Sequence, residues 1–301
     1  MVIGHQKQWQ FLKKSAELEK LSHAYLFAGP EKIGKRTLAL EWVSLLFGEN
    51  IKEKLHPDFY LITPGKPDSA KASTGKEEIQ IAQIRDFIWK LSLKPYSAPF
   101  KVGMIDQAHL MTRDSQTCLL KTLEEPKGNT LLILITDSPN YLFPTILSRL
   151  QTVKFFPVRK EEIKNYLKKE GISDKQSEEI LECSLGKPGN VIEIISNNKK
   201  IEFFQQKIKE LNKITISPLA YRFQYAKNLS EEPTVLKETL DIWLDYYRSV
   251  LLAEIKEKKD FGKSSLSKIK NILEHIQTIK YLIFTTNINP KLALEILLME
   301  L

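Results

Sequence analysis

Apolar residues in the first half of the chain follow two alternating rhythms. Residues 7–20 set Trp9, Phe11, Leu12, Ala16 and Leu18 among polar positions, the spacing of a helix face. Residues 24–28 form a short, continuous apolar run of strand length. A glycine loop follows, then a helical pattern to about Phe47, and a second strand is predicted over residues 59–62. A helix over residues 79–91 comes next, then strands over 101–105 and 131–136 with a helix over 114–123 between them. Strands alternating with helices predict an α/β fold with a parallel sheet. Residues 64–78, rich in Pro, Gly, Ser and Lys, read as an exposed loop and are the one low-complexity candidate. After Phe156-Pro157 the pattern changes, and from Lys160 onward helical periodicity dominates with no convincing strand. Trp243, Leu244, Tyr247 and Leu251 share one helix face and read as packing surface.

These shifts divide the chain into three expected domains: an α/β domain over residues 1–157, a small helical domain over 158–206, and longer helices over 207–301. The 301 residues are 42% hydrophobic and 27% charged, enough to bury real cores. Apolar runs such as residues 131–135 are far too short to span a bilayer, and the first residues lack the apolar stretch of a signal peptide. A cytoplasmic protein without membrane contact is expected. Two separated cysteines, Cys118 and Cys183, indicate neither a disulfide framework nor a zinc site, and core packing is their expected role. Lys and Arg outnumber Asp and Glu by 45 to 37, a net +8 scattered along the chain. That balance permits contact with nucleic acid or an acidic partner without requiring it.

The strand, glycine loop, lysine and helix occur in the order a P-loop needs. Backbone amides of such a loop, backed by a helix N-terminus, cradle phosphates, and the lysine reaches the outer ones. Here the run is Gly29-x4-Gly34-Lys35, but Arg36 stands where Ser or Thr would hold Mg²⁺. Thr37, one residue later, points about 100° further round the helix and is no simple substitute. A phosphate site and a structural relic both remain open at this point. The strand ending in Asp106 matches a Walker B segment, in which the aspartate holds Mg²⁺ and a following glutamate orients the attacking water. Gln107 occupies the glutamate position and cannot act as a base. Both losses predict no useful ATP hydrolysis. The five histidines show no metal-ligand spacing and are expected to be solvated or capping, and Glu124-Glu125-Pro126 reads as a helix terminus.

Several segments then resemble one family. Residues 23–27 before the P-loop, His56-Pro57-Asp58-Phe59, the run 119–126 (LLKTLEEP) and Thr145-Ile146-Leu147-Ser148-Arg149 match, in order and spacing, the AAA+ subunits of bacterial DNA polymerase III clamp loaders. Residues 287–295 resemble the last helix of that family's collar domain, so the resemblance covers nearly the whole chain. Within the family, an intact GK[ST] loop, an Asp-Glu pair and a sensor 2 arginine would mark the ATP-hydrolysing gamma/tau type. Lys35-Arg36, Asp106-Gln107 and Gly189 depart from all three and favour the delta-prime type. The chain also lacks tau's extension, and it keeps the Ser-Arg motif that the delta type normally lacks. The four-cysteine zinc module of many relatives is missing between residues 48 and 55, so no zinc is expected, and Leu150 replaces the usual cysteine after Ser-Arg.

The resemblance implies an AAA+ P-loop domain, a helical lid and an all-α collar. It implies a stator without independent catalysis, partnered by gamma/tau and delta subunits, the sliding clamp and primed DNA. Arg149 would act in trans as an arginine finger on a neighbour's γ-phosphate. Gly29, Gly34, Lys35, Thr37 and Asp106 would form a degenerate nucleotide site that needs no cofactor, with ATP or ADP binding doubtful. Arg85, Lys76 and Arg113 are candidate DNA contacts. An active ATPase and a scaffold without a catalytic arginine are the alternatives.

Overall fold

A computed structural model describes residues 2–51, 56–65, 78–126, 129–197, 199–257 and 263–301. Lys76 and most of the 64–78 loop lie outside the described residues. The chain forms two compact units, residues 1–177 with 186–190, and residues 178–185 with 191–301.

The first unit is built on five parallel strands: β1 (Ala24–Ala28), β2 (Phe59–Ile62), β3 (Lys101–Ile105), β4 (Thr130–Thr136) and β5 (Gln151–Lys154), in the spatial order β2-β3-β4-β1-β5. Around it pack α1 (Gln6–Glu17), α2 (Lys35–Phe47), α3 (Ile81–Ser92), α4 (Arg113–Glu124) and the short α5 (Pro144–Leu147). Helices cover both faces, so the central strands need apolar residues in both directions. Tyr25 and Phe27 of β1 and Ile133 of β4 enter one core with Leu38, Trp42 and Val43 of α2. Ala24, Leu26 and Leu134 enter the other with Ile84, Phe87 and Leu119 of α3 and α4. This is the expected α/β AAA+ architecture, a parallel sheet followed by helices.

β5 was not predicted from the pattern, for a physical reason. It is an edge strand of four residues with only Val153 buried, too short and too exposed to show a period. Helix α4 ends at Glu124, so Glu124-Glu125-Pro126 is the helix terminus expected. Beyond the sheet lie α6 (Lys160–Lys169), α7 (Asp174–Ser184) and α8 (Pro188–Ser196), and no strand occurs after β5 among the described residues.

The second unit contains α9 (Lys199–Ile216), α10 (Leu219–Ser230), α11 (Pro233–Glu257), α12 (Lys263–Thr285) and α13 (Pro290–Glu300). Trp243 is fully buried at its centre with Leu240, Leu211 and Leu294, and Leu244 and Tyr247 pack against that cluster. Helix α13 is apolar on two sides. Ala293, Leu294, Leu297 and Leu298 face the core, while Leu292, Ile296 and Met299 form an exposed row at spacings of four and three.

Candidate functional site: a P-loop closed by its own side chains

The carboxyl ends of β1, β3 and β4 meet at the place where open α/β sheets bind ligands. Gly29 leaves β1 with its amide donating to Thr136 O at 3.2 Å. Gly34 caps α2 in the left-handed region at φ 101°, a conformation glycine adopts freely. The loop between them is tied at two consecutive carbonyls. Nε2 of His5, a buried residue, lies 2.8 Å from Ile33 O, and the Gly189 amide donates to Lys32 O at 2.7 Å. A Cβ on Gly189 would stand 2.7 Å from that same oxygen, so only glycine allows so close an approach. Gly189 therefore brings its backbone directly onto the P-loop. Burial pushes the His5 imidazole below its usual value, outweighing the opposing bond to Ile33 and the charge of Glu162.

Lys35 is buried and folded back on its own loop, donating from Nζ to Gly29 O and Pro30 O at 2.6 Å each. Desolvation lowers its pKa to about 8, against the raising effect of Asp137, Glu31 and Asp106 and with the help of Lys187. The unfolded chain keeps this lysine protonated to its usual value of 10.5, so it binds more protons than the folded chain between about pH 8 and that value. Stability is therefore expected to rise with pH across this window, by at most about 3 kcal/mol. The corresponding Lys35→Met variant should lose that rise. Urea midpoints of both proteins between pH 7 and 10 check this, and parallel curves would refute it.

Arg36 and Asp106 are brought together from 70 residues apart. The Arg36 guanidinium donates from Nη1 to Asp106 Oδ2 at 3.2 Å, and the other carboxylate oxygen accepts the Gln107 amide at 3.0 Å. A half-exposed cation from α2 thus sits against the carboxylate that a Walker B strand would offer to Mg²⁺. Thr37 is exposed on the first turn of α2. With arginine in the hydroxyl position, both Asp106 oxygens engaged and Gln107 in the acid position, these residues do not fit a Mg²⁺ site. No group of three or more His, Cys, Asp or Glu that could hold a metal occurs among the described residues.

Sequence reasoning missed two parts of this cluster, and the first is His5, expected to be solvated or capping but buried against Ile33 O without a side-chain cap bond. His109, expected to be solvated or capping, is largely buried with Nδ1 3.1 Å from Asp137 Oδ1 and 3.2 Å from Thr136 Oγ1. The polar pair Thr136-Asp137 at the end of β4 was its sequence signal.

Arg149 lies apart from this cluster, just beyond α5. Its Nη1 donates to Thr145 O at 2.8 Å, and its Nη2 lies 2.7 Å from Glu124 Oε1 at the end of α4. Arg85 on α3 and Arg113 on α4 are exposed.

Comparison with known proteins places the chain among replication proteins. A family model described as "DNA polymerase III, delta subunit" matches residues 4–159. DNA polymerase III subunit delta' of Bacillus subtilis is 28% identical over 266 residues, covering 82% of this chain and 77% of that one. The subunit delta' of Pseudomonas aeruginosa is 32% identical over 143 residues, covering 42% and 41%. Among solved structures, a gamma subunit-related protein of Thermotoga maritima aligns over 96% of this chain and 97% of its own, with 19% identity and a TM-score of 0.48.

Proposed function

The chain belongs to the DNA polymerase III delta-subunit family, and on that premise we propose that it is the delta-prime stator of a bacterial clamp loader, a subunit that does not hydrolyse ATP itself. It acts in the cytoplasm within a hetero-oligomer containing gamma/tau and delta subunits. The assembly opens the sliding clamp and places it on primed DNA.

The observation that carries this reading is the Arg36–Asp106 pair. A side-chain cation there replaces the metal that a hydrolysing site needs, and Gln107 removes the acid beside it. The backbone contact of Gly189 on Lys32 supports the same reading, because a loop tied at consecutive carbonyls is poorly placed to open around a triphosphate. Nucleotide is not required by this chain. Three functional parts follow: residues 1–157 as the nucleotide-domain relic, 158–206 as the lid and 207–301 as the collar. The exposed row Leu292, Ile296 and Met299 supports the collar's role, since such a face is suited to burial against other subunits.

Arg149 is the residue that acts on a neighbour. Its guanidinium offsets charge developing on the γ-phosphate of ATP held by the adjacent subunit. The test is ATP turnover by the isolated chain, and by gamma/tau and delta subunits with clamp and primed DNA, with and without this chain. No turnover alone and stimulation on addition are expected. Hydrolysis by the isolated chain would overturn the reading.

A further inference from the structure

We propose that Glu124 is the retaining partner of Arg149: it parks the guanidinium against its own chain and yields it only to a more strongly charged anion presented by a neighbour. The proposal rests on the reading of Arg149 as a finger in trans.

The geometry of the parked arginine is specific. Nη2 meets Glu124 Oε1 at 2.7 Å, while Nη1 donates to Thr145 O at 2.8 Å and lies 3.4 Å from Ser148 Oγ. Both terminal nitrogens of the fork are therefore engaged inside the chain. A guanidinium binds a phosphoryl group through paired N–H donors, so delivery to a phosphate requires some of these contacts to open.

Glu124 stands on a fixed mount. It is the last residue of α4, and the preceding Leu123 is buried with its carbonyl 3.1 Å from His23 Nε2 on the segment leading into β1. Pro126 prevents the helix from continuing. A carboxylate at the negative end of a helix, with Glu125 beside it, is poorly served by its own helix and attracts a cation. Arg149 supplies that cation from the end of α5.

Retention must also be reversible, and the exposure of the pair makes it so. The two side chains are 35% and 49% exposed, so water and salt compete for both partners. Asp58, fully buried with three amide donors, shows the contrasting, permanent kind of carboxylate in the same unit. A polyphosphate offers several charges where Glu124 offers one, and it can displace the carboxylate.

A parked finger reduces the fraction of chains competent to engage the neighbour's ATP, which lowers kcat/KM for ATP by that fraction without altering the chemical step itself. Glu124→Gln keeps the size and removes the charge. In the isolated chain, modification of Arg149 by phenylglyoxal, mapped by mass spectrometry against Arg85 and Arg113, should accelerate about two- to fivefold in Glu124→Gln, the range an exposed ion pair sustains. Glu124→Asp should retain most of the protection. In the reconstituted assembly, Glu124→Gln should raise kcat/KM for ATP by a similar factor, and should change nothing in an Arg149→Ala background. An unchanged modification rate would overturn retention, and so would a fall in kcat at constant KM, which would make Glu124 an aid to the transition state. If Arg149→Ala leaves turnover untouched, the finger reading fails by itself, and the modification rates still decide whether Glu124 retains the arginine.

Discussion

Replacing Arg149 by alanine is expected to lower ATP turnover at the neighbouring site by about 10³–10⁵-fold while the assembly still forms. The size of the effect follows from where charge develops. As the γ-phosphoryl group transfers, negative charge spreads over its outer oxygens, and a guanidinium placed there without bulk water stabilises the transition state more than bound ATP. The loss should therefore fall on kcat as well as kcat/KM. Within its own chain the side chain does little structural work. Its carboxylate contact is with Glu124, a half-exposed partner, so folding stability should change by no more than about 1 kcal/mol. Arg149→Lys should rescue poorly, because an ammonium lacks the planar pair of donors. Turnover measured with gamma/tau, delta, clamp and primed DNA decides the matter, with size-exclusion chromatography confirming assembly. Equal turnover by wild type and variant would leave the chain a scaffold without a catalytic arginine.

Asp58→Ala should destabilise the first unit by about 3–5 kcal/mol, the cost of removing a buried charge from partners left unsatisfied. The side chain is fully buried and accepts the amides of Tyr96 and Ser97 at 2.8 Å and of Ala98 at 2.9 Å. Its own carbonyl accepts the Val102 amide, so one residue joins the segment before β2 to the turn before β3. Desolvation pushes this carboxyl upward, but the three amides and the nearby His56 together outweigh it and hold the group below its usual value of 3.8. A depressed folded value means that the stabilisation is complete above the unfolded value and is lost as pH falls below it, through the folded one. Urea denaturation of wild type and variant at pH 7 and between pH 5 and 2 tests both parts. The difference should be largest at neutral pH and shrink in acid. Asp58→Asn, which keeps one acceptor oxygen, should cost less and lose the same acid dependence. A constant difference between the two proteins down to pH 2 would contradict this account.

Much of the fold was legible because its information is local. The strand of residues 24–28, the Gly29–Lys35 loop and the helix behind it lie within a few turns of one another in the sequence. The central strands β1, β3 and β4 are buried on both faces and so are written as apolar runs, whereas β5, with only Val153 buried, left no such trace. The departures from a working site were equally plain, since a missing hydroxyl at Arg36 and a missing acid at Gln107 are single letters in a motif of fixed spacing.

Those residue identities by themselves determined that position 36 carries a guanidinium where the motif has a hydroxyl, and that position 107 carries an amide where it has an acid. Only the tertiary structure decided what the altered residues do instead. Arg36 turns to Asp106 across 70 positions, Gly189 presses its backbone on Lys32, and Arg149 reaches Glu124 from the end of another helix. His109 meets Asp137 in the same way. Helical and strand periods arise from neighbours a few residues apart, so a pattern along the chain records them. A pairing between side chains on separate elements depends on how the sheet orders its strands and which ends come together, and no local period carries that order.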